Sequence, residues 1–397
     1  MVKKRVKMLS LMLIFALLVP CCMLFTACCG KEEKMYTNPQ KIADYLYSIE
    51  YTNYRQDVNL ETIKRIEDGV AASGAFGCSS VRNGNFYGRN FDYTYNDMPE
   101  FVVRVKKSEN VKHESIGVAA HFNLREGKMG SYDKELELIP NLTLDGINDA
   151  GVICSHNVVK CSDGGEVTHT NEGKEKLHML FIPRYVLNNA DTAEQAVEML
   201  KNNVDIYGSL NNGEYYLHVM IADANKTYIV EFANNTVIYK EVAGDKQIMT
   251  NYYLNLPSTA ASINQNTGYP EHASGVERYD ILKENYAEAT SVIGMQNLMH
   301  RVMFGNAWDR NTTRPWYSEL FTQTEVYNGG IPIDLETFKT QMRDTANQYW
   351  EARENDIRSP ENPRFWQTVH NSTYDMHSKT LHVFVQEDYD HCYTFSL

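Results

Sequence analysis

The pair Asn83-Gly84 constrains this chain more than any other feature. A two-residue hairpin turn needs positive φ at its central positions, and Asn-Gly supplies it at low steric cost. Cys78-Ser79-Ser80-Val81-Arg82 runs in and Asn85-Phe86-Tyr87-Gly88-Arg89-Asn90-Phe91-Asp92 runs out. Pairing Arg82 with Asn85 predicts Cys78 directly across from Arg89, with Cβ atoms ~5 Å apart on one face. A guanidinium beside a thiol favours the thiolate and lowers a pKa of ~8.5. Strict alternation puts Asp92 on the face opposite Arg89 unless a bulge intervenes. Taken alone, a cysteine at the start of a strand is more often an inert buried residue.

Further strands rich in aromatic and branched residues are expected at 101–106, 116–122, 151–159, 216–221, 227–232, 246–251 and 380–385. Helical spacing predicts two helices over 41–66, divided near Asn53, then helices at 177–187, 192–201, 276–286 and 292–303. Strands and helices thus come in blocks, which argues an α+β fold with mostly antiparallel sheets. The 26 tyrosines exceed what a core needs, so some are expected to line a wet pocket.

Before the hairpin the chain reads as an address. Lys3, Lys4, Arg5 and Lys7 precede an apolar run from Leu9 to Leu24, and a polar stretch follows Cys28. This is the pattern of a secretory signal over 1–27. Phe25-Thr26-Ala27-Cys28 resembles a bacterial lipoprotein box, in which Cys28 receives lipid; Cys29, simple secretion and an uncleaved anchor are the alternatives. Residues 28–77 then read as a tether and prosegment, ending in the small, flexible Ala71-Ala72-Ser73-Gly74-Ala75-Phe76-Gly77, and 78–397 as the catalytic domain. The net charge of −13, with basic residues clustered only at the extreme N-terminus, argues against nucleic acid. Four cysteines follow the export segment: Cys78, Cys154, Cys161 and Cys392. They form two bridges, or at most one if Cys78 stays free.

Small residues, then Cys-Ser-Ser, then Tyr87-Gly88-Arg89-Asn90-Phe91-Asp92, resemble the choloylglycine hydrolase family of linear amide C–N hydrolases, relatives of penicillin V acylase and bile salt hydrolase. The resemblance implies an N-terminal-nucleophile hydrolase with a four-layer αββα sandwich of antiparallel sheets, cut between Gly77 and Cys78 so that the nucleophile opens the mature chain. Other stations follow in order. Leu144-Asp145-Gly146-Ile147-Asn148-Asp149-Ala150-Gly151-Val152 resembles the turn before the strand that carries an oxyanion-hole asparagine, here Asn157. Met249-Thr250-Asn251-Tyr252 resembles the second asparagine station, Asn251. Ser274-Gly275-Val276-Glu277-Arg278-Tyr279 resembles the arginine station, Arg278, and Ser372-Thr373-Tyr374-Asp375 the closing strand. The interval from Cys78 to Arg89 is shorter than the family's, as a trimmed hairpin would make it. In relatives the residue matching Asp92 contacts the nucleophile's amine.

These residue types suit amide hydrolysis. A free α-amine on Cys78, with a pKa of ~7.7–8.0, can take the thiol proton and later deliver it to the leaving nitrogen, so no catalytic histidine is needed. Asn157 and Asn251 would donate to the oxyanion, Arg89 would hold the thiolate, and Arg278 would support the site's charge. Cys154-Ser155-His156-Asn157-Val158-Val159-Lys160-Cys161 fits no common zinc spacing, His113-Glu114 lacks a second histidine, and no phosphate loop occurs, so neither metal nor cofactor is expected. The expected partners are a small N-acyl amide and a membrane reached through lipid on Cys28; self-association is compatible with the sequence. Competing readings are a papain-type hydrolase pairing Cys78 with a histidine such as His156, and a solute-binding lipoprotein without turnover. Glycosylation sequons occur at Asn141, Asn225, Asn234, Asn311 and Asn371.

Overall fold

The structure is a computed structural model that describes residues 35–397 apart from 56–61, 65, 67–76, 95–97, 123, 125, 127–128, 130–132, 161–169, 211–214, 234, 256–274, 304–325, 329–330, 334–365, 387 and 389. The export segment with Cys28, the small residues 71–76, Cys161, Asn234, Ser274 and Asn311 lie outside the described residues.

In chain order the strands are β1 (Gln40–Ala43), β2 (Leu46–Tyr51), β3 (Gly77–Asn83), β4 (Phe86–Thr94), β5 (Glu100–Val105), β6 (Ser115–Ala120), β7 (Thr143–Asn148), β8 (Ile153–Lys160), β9 (Glu175–His178) and β10 (Val204–Tyr207). They continue with β11 (Tyr215–Ala222), β12 (Thr227–Ala233), β13 (Thr236–Val242), β14 (Ile248–Met249), β15 (Val326–Asn328), β16 (Ile331–Ile333), β17 (Trp366–Asp375), β18 (Thr380–Val385) and β19 (Tyr393–Ser396). Nine form one sheet in the order β1-β2-β5-β6-β7-β8-β11-β12-β13, and six form a second in the order β14-β3-β4-β17-β18-β19.

The two sheets face each other across a core in which Tyr87, Met249 and Tyr374 meet Val118, Ile147, Ile153 and Met220. Helices α1 (Ile182–Asn189) and α2 (Ala193–Asn202) cover the outer face of the large sheet over β7, β8, β11 and β12. Helices α3 (Val276–Glu284) and α4 (Val292–His300) cover the small sheet over β14, β3, β4 and β17. This is the expected αββα layering. Helix starts obey local chemistry: the Thr192 and Ser291 hydroxyls accept from the backbone N–H of Gln195 and Gly294, capping α2 and α4. α2 then buries Ala193, Ala196, Val197 and Leu200, one stripe at helical spacing.

The first expected helix over 41–66 is a strand hairpin instead. Tyr45 takes positive φ (62°) at its turn, and β2 pairs in parallel with β5, one of two parallel pairings among the described strands, the other being β9 with β10. Tyr47, Ile49 and Tyr51 join one core cluster while Leu46 joins another, so the operative period is two. Ile42, Tyr45, Leu46 and Ile49 satisfy a helical template as well, and over so short a window the pairing partner decides. Farther on, residues 62–64 and 66 are helical, with Ile63 and Ile66 in the core. The expected helix at 177–187 opens instead as strand β9, and α1 starts at Ile182, where Pro183 sits in the first turn. Of the expected strand at 246–251, Ile248–Met249 forms a strand paired with β3 and Asn251 makes a single β-bridge, while Lys246 ends a 3₁₀ turn. Cys78, Cys154 and Cys392 are free thiols, so neither cysteine scheme yields a bridge among the described residues. No helix among the described residues is long and apolar enough to cross a membrane.

Candidate active site

The β3–β4 hairpin carries Cys78 at its open end. Its register pairs Asn83 with Phe86, Ser80 with Arg89, Cys78 with Phe91 and Gly77 with Asp92. The turn is therefore Gly84-Asn85, with Gly84 at φ +57° in the first central position, and the expected Cys78–Arg89 pairing is displaced by two residues. A shift of two preserves the faces, so Cys78, Ser80, Arg89 and Phe91 still share one side. Arg89 reaches the thiol diagonally, its Nη2 lying 3.8 Å from Cys78 Sγ while donating to His156 O at 3.0 Å.

Cys78 is 1% exposed. Burial pushes the thiol pKa up, with Arg89 pulling against it, so the lowered value expected for Cys78 is not what the surroundings produce. Desolvation of the thiolate outweighs one diagonal cation that is itself paired, through Nη1, to Asp145 Oδ2 at 3.1 Å.

On the other face of β3, Arg278 gathers the backbone. Its Nη1 donates to Cys78 O (2.6 Å), Ser79 Oγ (2.9 Å) and Asp92 Oδ2 (3.3 Å), and its Nη2 to Asn251 Oδ1 (2.6 Å). Asn251 Oδ1 also accepts from Cys78 N at 2.9 Å, and its Nδ2 donates to Val158 O at 2.7 Å. Gly275, the residue before α3, has φ +79°, and a Cβ there would fall 2.5 Å from Arg278 Nη2, so this glycine makes room for the guanidinium. Asp92 sits opposite Arg89's face, as strict alternation requires. Thr368 Oγ1 donates to Asp92 Oδ1 at 2.7 Å, and burial, opposed by Arg278, pushes the carboxyl up to about 7.

Asn157 departs from its expected role. Its Nδ2 donates to Met249 O (3.0 Å) and Thr250 O (3.3 Å), and its Oδ1 accepts from Ser80 Oγ (3.3 Å). With its amide committed to the segment that carries Asn251, Asn157 positions that segment rather than offering a free donor to an oxyanion. Sequence reasoning brought Cys78, Arg89, Asp92, Asn157, Asn251 and Arg278 to one place, and all six are fully or almost fully buried. It did not assign roles to Asp145, Glu100 and His370, which form a buried charged chain behind Arg89. Alternation of His370, Ser372 and Tyr374 along β17 was the available signal.

Beside the thiol lies a small cavity of about 10 Å³, room for one water molecule. Cys78, Arg89 and His156 are polar on its wall; Phe91, Phe122, Leu144, Val158, Leu180, Leu210 and Leu217 are the apolar remainder. His156 is 3% exposed, and burial followed by the Arg89 charge pushes its pKa down to about 3, so it is a neutral imidazole in ordinary conditions. No grouping of side chains suited to a metal occurs among the described residues.

Three known structures resemble the chain in fold at low similarity. Two are single-residue variants of conjugated bile acid hydrolase from Clostridium perfringens and the third is penicillin V acylase from Agrobacterium tumefaciens, each 14% identical. The matches to the two hydrolase variants cover 81% of this chain and 92% of theirs, with TM-scores of 0.41 and 0.40; the match to the acylase covers 79% and 83%, with 0.35. No protein of curated function matches the sequence. Residues 81–323, more than half of the chain, match the model of a family described as acyl-coenzyme A:6-aminopenicillanic acid acyl-transferase; the match begins just after Cys78 and takes in Arg89, Asp92, Asn157, Asn251 and Arg278. The chain belongs to that family, one of the N-terminal-nucleophile hydrolase families.

Proposed function

We propose that this chain is an exported cysteine amidase that frees Cys78 by cutting its own Gly77–Cys78 bond and then cleaves the amide of an N-acylated small molecule. One observation carries the reading: Asn251 and Arg278, distant in sequence, grip the backbone of a buried cysteine at its N and O atoms. An inert core cysteine has no use for such a clamp on its own amide.

In the self-cut, Cys78 Sγ attacks the Gly77 carbonyl carbon. The C–N bond breaks, the thiol proton ends on Cys78 N, and a thioester forms. Water hydrolyses the thioester, leaving a Gly77 carboxylate, the thiol and a free amine. In turnover that amine takes the thiol proton, Sγ attacks the substrate carbonyl, and the resulting ammonium protonates the leaving nitrogen. Asn251 Nδ2 has one acceptor, Val158 O, among the described residues, so its second hydrogen is the candidate donor to the oxyanion. Loss of one such donor raises a barrier by ~3–4 kcal/mol. The raised thiol pKa fits this scheme, because a thiol that holds its proton needs a base at hand.

The side chains around the thiol are mostly apolar, which suits a substrate whose acyl group is itself apolar. A second reading keeps the same thioester but discharges it to an amine instead of water, as the acyl-transferase description of the family suggests. A papain-type pairing with His156 is disfavoured because an imidazole titrating at about 3 is too weak a base to take the thiol proton. Export and a lipid on Cys28 complete the proposal and place the enzyme at the cell surface.

Intact-mass analysis with N-terminal sequencing of purified protein tests the reading. A chain beginning at Cys78, and an uncut chain in Cys78→Ala, are the expected pair. A wild-type preparation that consumes an N-acyl amide while still joined to Gly77, or a Cys78→Ala protein that does so, removes the proposal. Binding without consumption, unchanged in Cys78→Ala, would leave the solute-binding alternative.

A further inference from the structure

Behind Arg89 a chain of buried charges runs away from the nucleophile. Arg89 Nη1 meets Asp145 Oδ2 at 3.1 Å and His370 Nε2 at 3.3 Å; His370 Nε2 meets the same Asp145 oxygen at 3.1 Å, and His370 Nδ1 meets Glu100 Oε2 at 3.0 Å. Ser372 Oγ and Tyr374 OH donate to the other Asp145 oxygen. Arg89, Asp145, His370 and Glu100 are all 0% exposed.

The backbone is shaped for this arrangement. In β17 an extra residue, Val369, separates Thr368, which pairs with Asp92, from His370, which pairs with Phe91. Without that bulge Thr368 and His370, two apart, would share a face. With it, Thr368 serves Asp92 on the Arg278 side while His370 turns to Arg89, its ring lying 5.3 Å from that of Phe91. Glu100 keeps one oxygen, Oε1, without a hydrogen-bond partner among the described residues. A buried carboxylate left half satisfied is costly, and such sites in a fold call for a functional explanation.

Charge counting supplies one. Two cations against two carboxylates leave the cluster neutral, and so does a proton shared between His370 and Glu100. Remove the imidazole and two carboxyl groups remain behind a single guanidinium; burial holds the Glu100 pKa above its usual range and His370 opposes that rise, so above the Glu100 midpoint the second negative charge cancels the positive face toward Cys78. We infer that His370 and Glu100 are positioning residues for the nucleophile: they hold the buried cluster neutral and Arg89 in place, so that Arg89 keeps its charge available to the Cys78 thiol. Burial opposes a charged His370, yet the Glu100 and Asp145 carboxylates hold its pKa above the ordinary value, in line with this role. The other charged or titratable groups that influence the thiol are Asp92 and Arg278, on the far face of the strand; His156 lines its cavity and is neutral.

The inference rests on Cys78 being the nucleophile, but its test uses no substrate. In the full chain, ultraviolet thiolate absorbance is followed against pH, each variant being referenced to the same variant carrying Cys78→Ala. His370→Gln is expected to raise the Cys78 midpoint by about one pH unit, a roughly tenfold loss of thiolate at a given pH. Adding Glu100→Gln restores neutrality and should bring the thiolate fraction back to within about threefold of wild type, which a purely packing role would not do. Glu100→Gln alone, nearly isosteric, should lower the midpoint, and this opposite sign stands as a test even if His370→Gln fails to fold. An unchanged midpoint in both single variants, or a double variant no closer to wild type than His370→Gln, overturns the inference. Normal shifts in a protein that cleaves no amide would instead count against the proposed function alone.

Discussion

Replacing Arg278 by methionine tests the clamp on Cys78, and the structure sets both the size and the pH dependence of the effect. The change removes donors to Cys78 O, Ser79 Oγ and Asn251 Oδ1 and leaves the buried Asp92 without its cation. Three hydrogen bonds from a charged donor, at ~1.5 kcal/mol each, put the pH-independent loss on the order of 4 kcal/mol. The rest depends on Asp92. Its carboxyl titrates at about 7 in the fold against ~3.9 unfolded, a raised value, so it destabilises the fold increasingly as pH climbs from ~4 to 7 and no further above that. Without Arg278 the folded value rises further, and the destabilisation keeps growing above neutrality. Between roughly pH 7 and 8 the variant therefore loses up to about 1.4 kcal/mol that wild type does not. Urea unfolding at pH 5 and pH 8, with Cys78→Ala in both proteins to keep the chain uncut, isolates the difference. A deficit equal at the two pH values, or smaller at pH 8, would falsify the assignment of Asp92 and Arg278 as a coupled pair.

Three further expectations follow from the same geometry. Gly275→Ala should mimic loss of Arg278, since its φ of +79° costs a side chain ~1–2 kcal/mol and its Cβ would displace the guanidinium; slower self-cutting on gels, together with a lower urea midpoint, checks it. His156→Leu should leave the acid limb of the self-cutting rate unchanged, because an imidazole titrating at about 3 contributes no limb near pH 6; disappearance of such a limb in the variant would restore a histidine mechanism. On the proposed cutting and lipid anchoring, residues 35–55 should stay bound through the β2–β5 pairing and the buried Leu46, Tyr47, Ile49 and Tyr51, so high salt should not free the 78–397 fragment from membranes; release under mild washing would show that the pairing does not outlast the cut.

The strands legible in the sequence are those whose composition needs no partner to interpret. Tyr215–Ala222 and Thr227–Ala233 are dense in branched and aromatic residues and sit within two residues of their expected limits. Gln40–Tyr51 is different: its apolar spacing fits two periods, and pairing with β5, outside the window, selects one. The hairpin at Gly84 was legible in kind, but its register was fixed by the glycine's place in the turn, two residues from where Asn-Gly alone would set it. The same holds for the site. Cys78, Arg89 and Asp92 lie within one hairpin and could be related by alternation, whereas Asn251 and Arg278 entered only through the order of family stations. His370 could be related to Ser372 and Tyr374 by alternation but not to Arg89, because a bulge aims it there, and Glu100 is set by a parallel pairing that no local pattern announces.

The two arginines divide the work on a single residue. Arg89 approaches the thiol from one side of β3, and Arg278 takes the backbone from the other, so the strand is held on both faces at Cys78. Each is balanced by a carboxylate, Asp145 or Asp92, and each carboxylate is supported from β17, by Ser372 and Tyr374 in one case and by Thr368 in the other. On the proposed scheme, a cysteine fixed this way needs little rearrangement when the bond before it breaks, because its clamps lie on its own N and O atoms and on residues after it. Of the described contacts to Cys78, the peptide link to Gly77 is the one that cutting must remove. On that scheme the ionisation of Cys78, held between two arginines, rather than a large movement, is where control of the reaction should be sought.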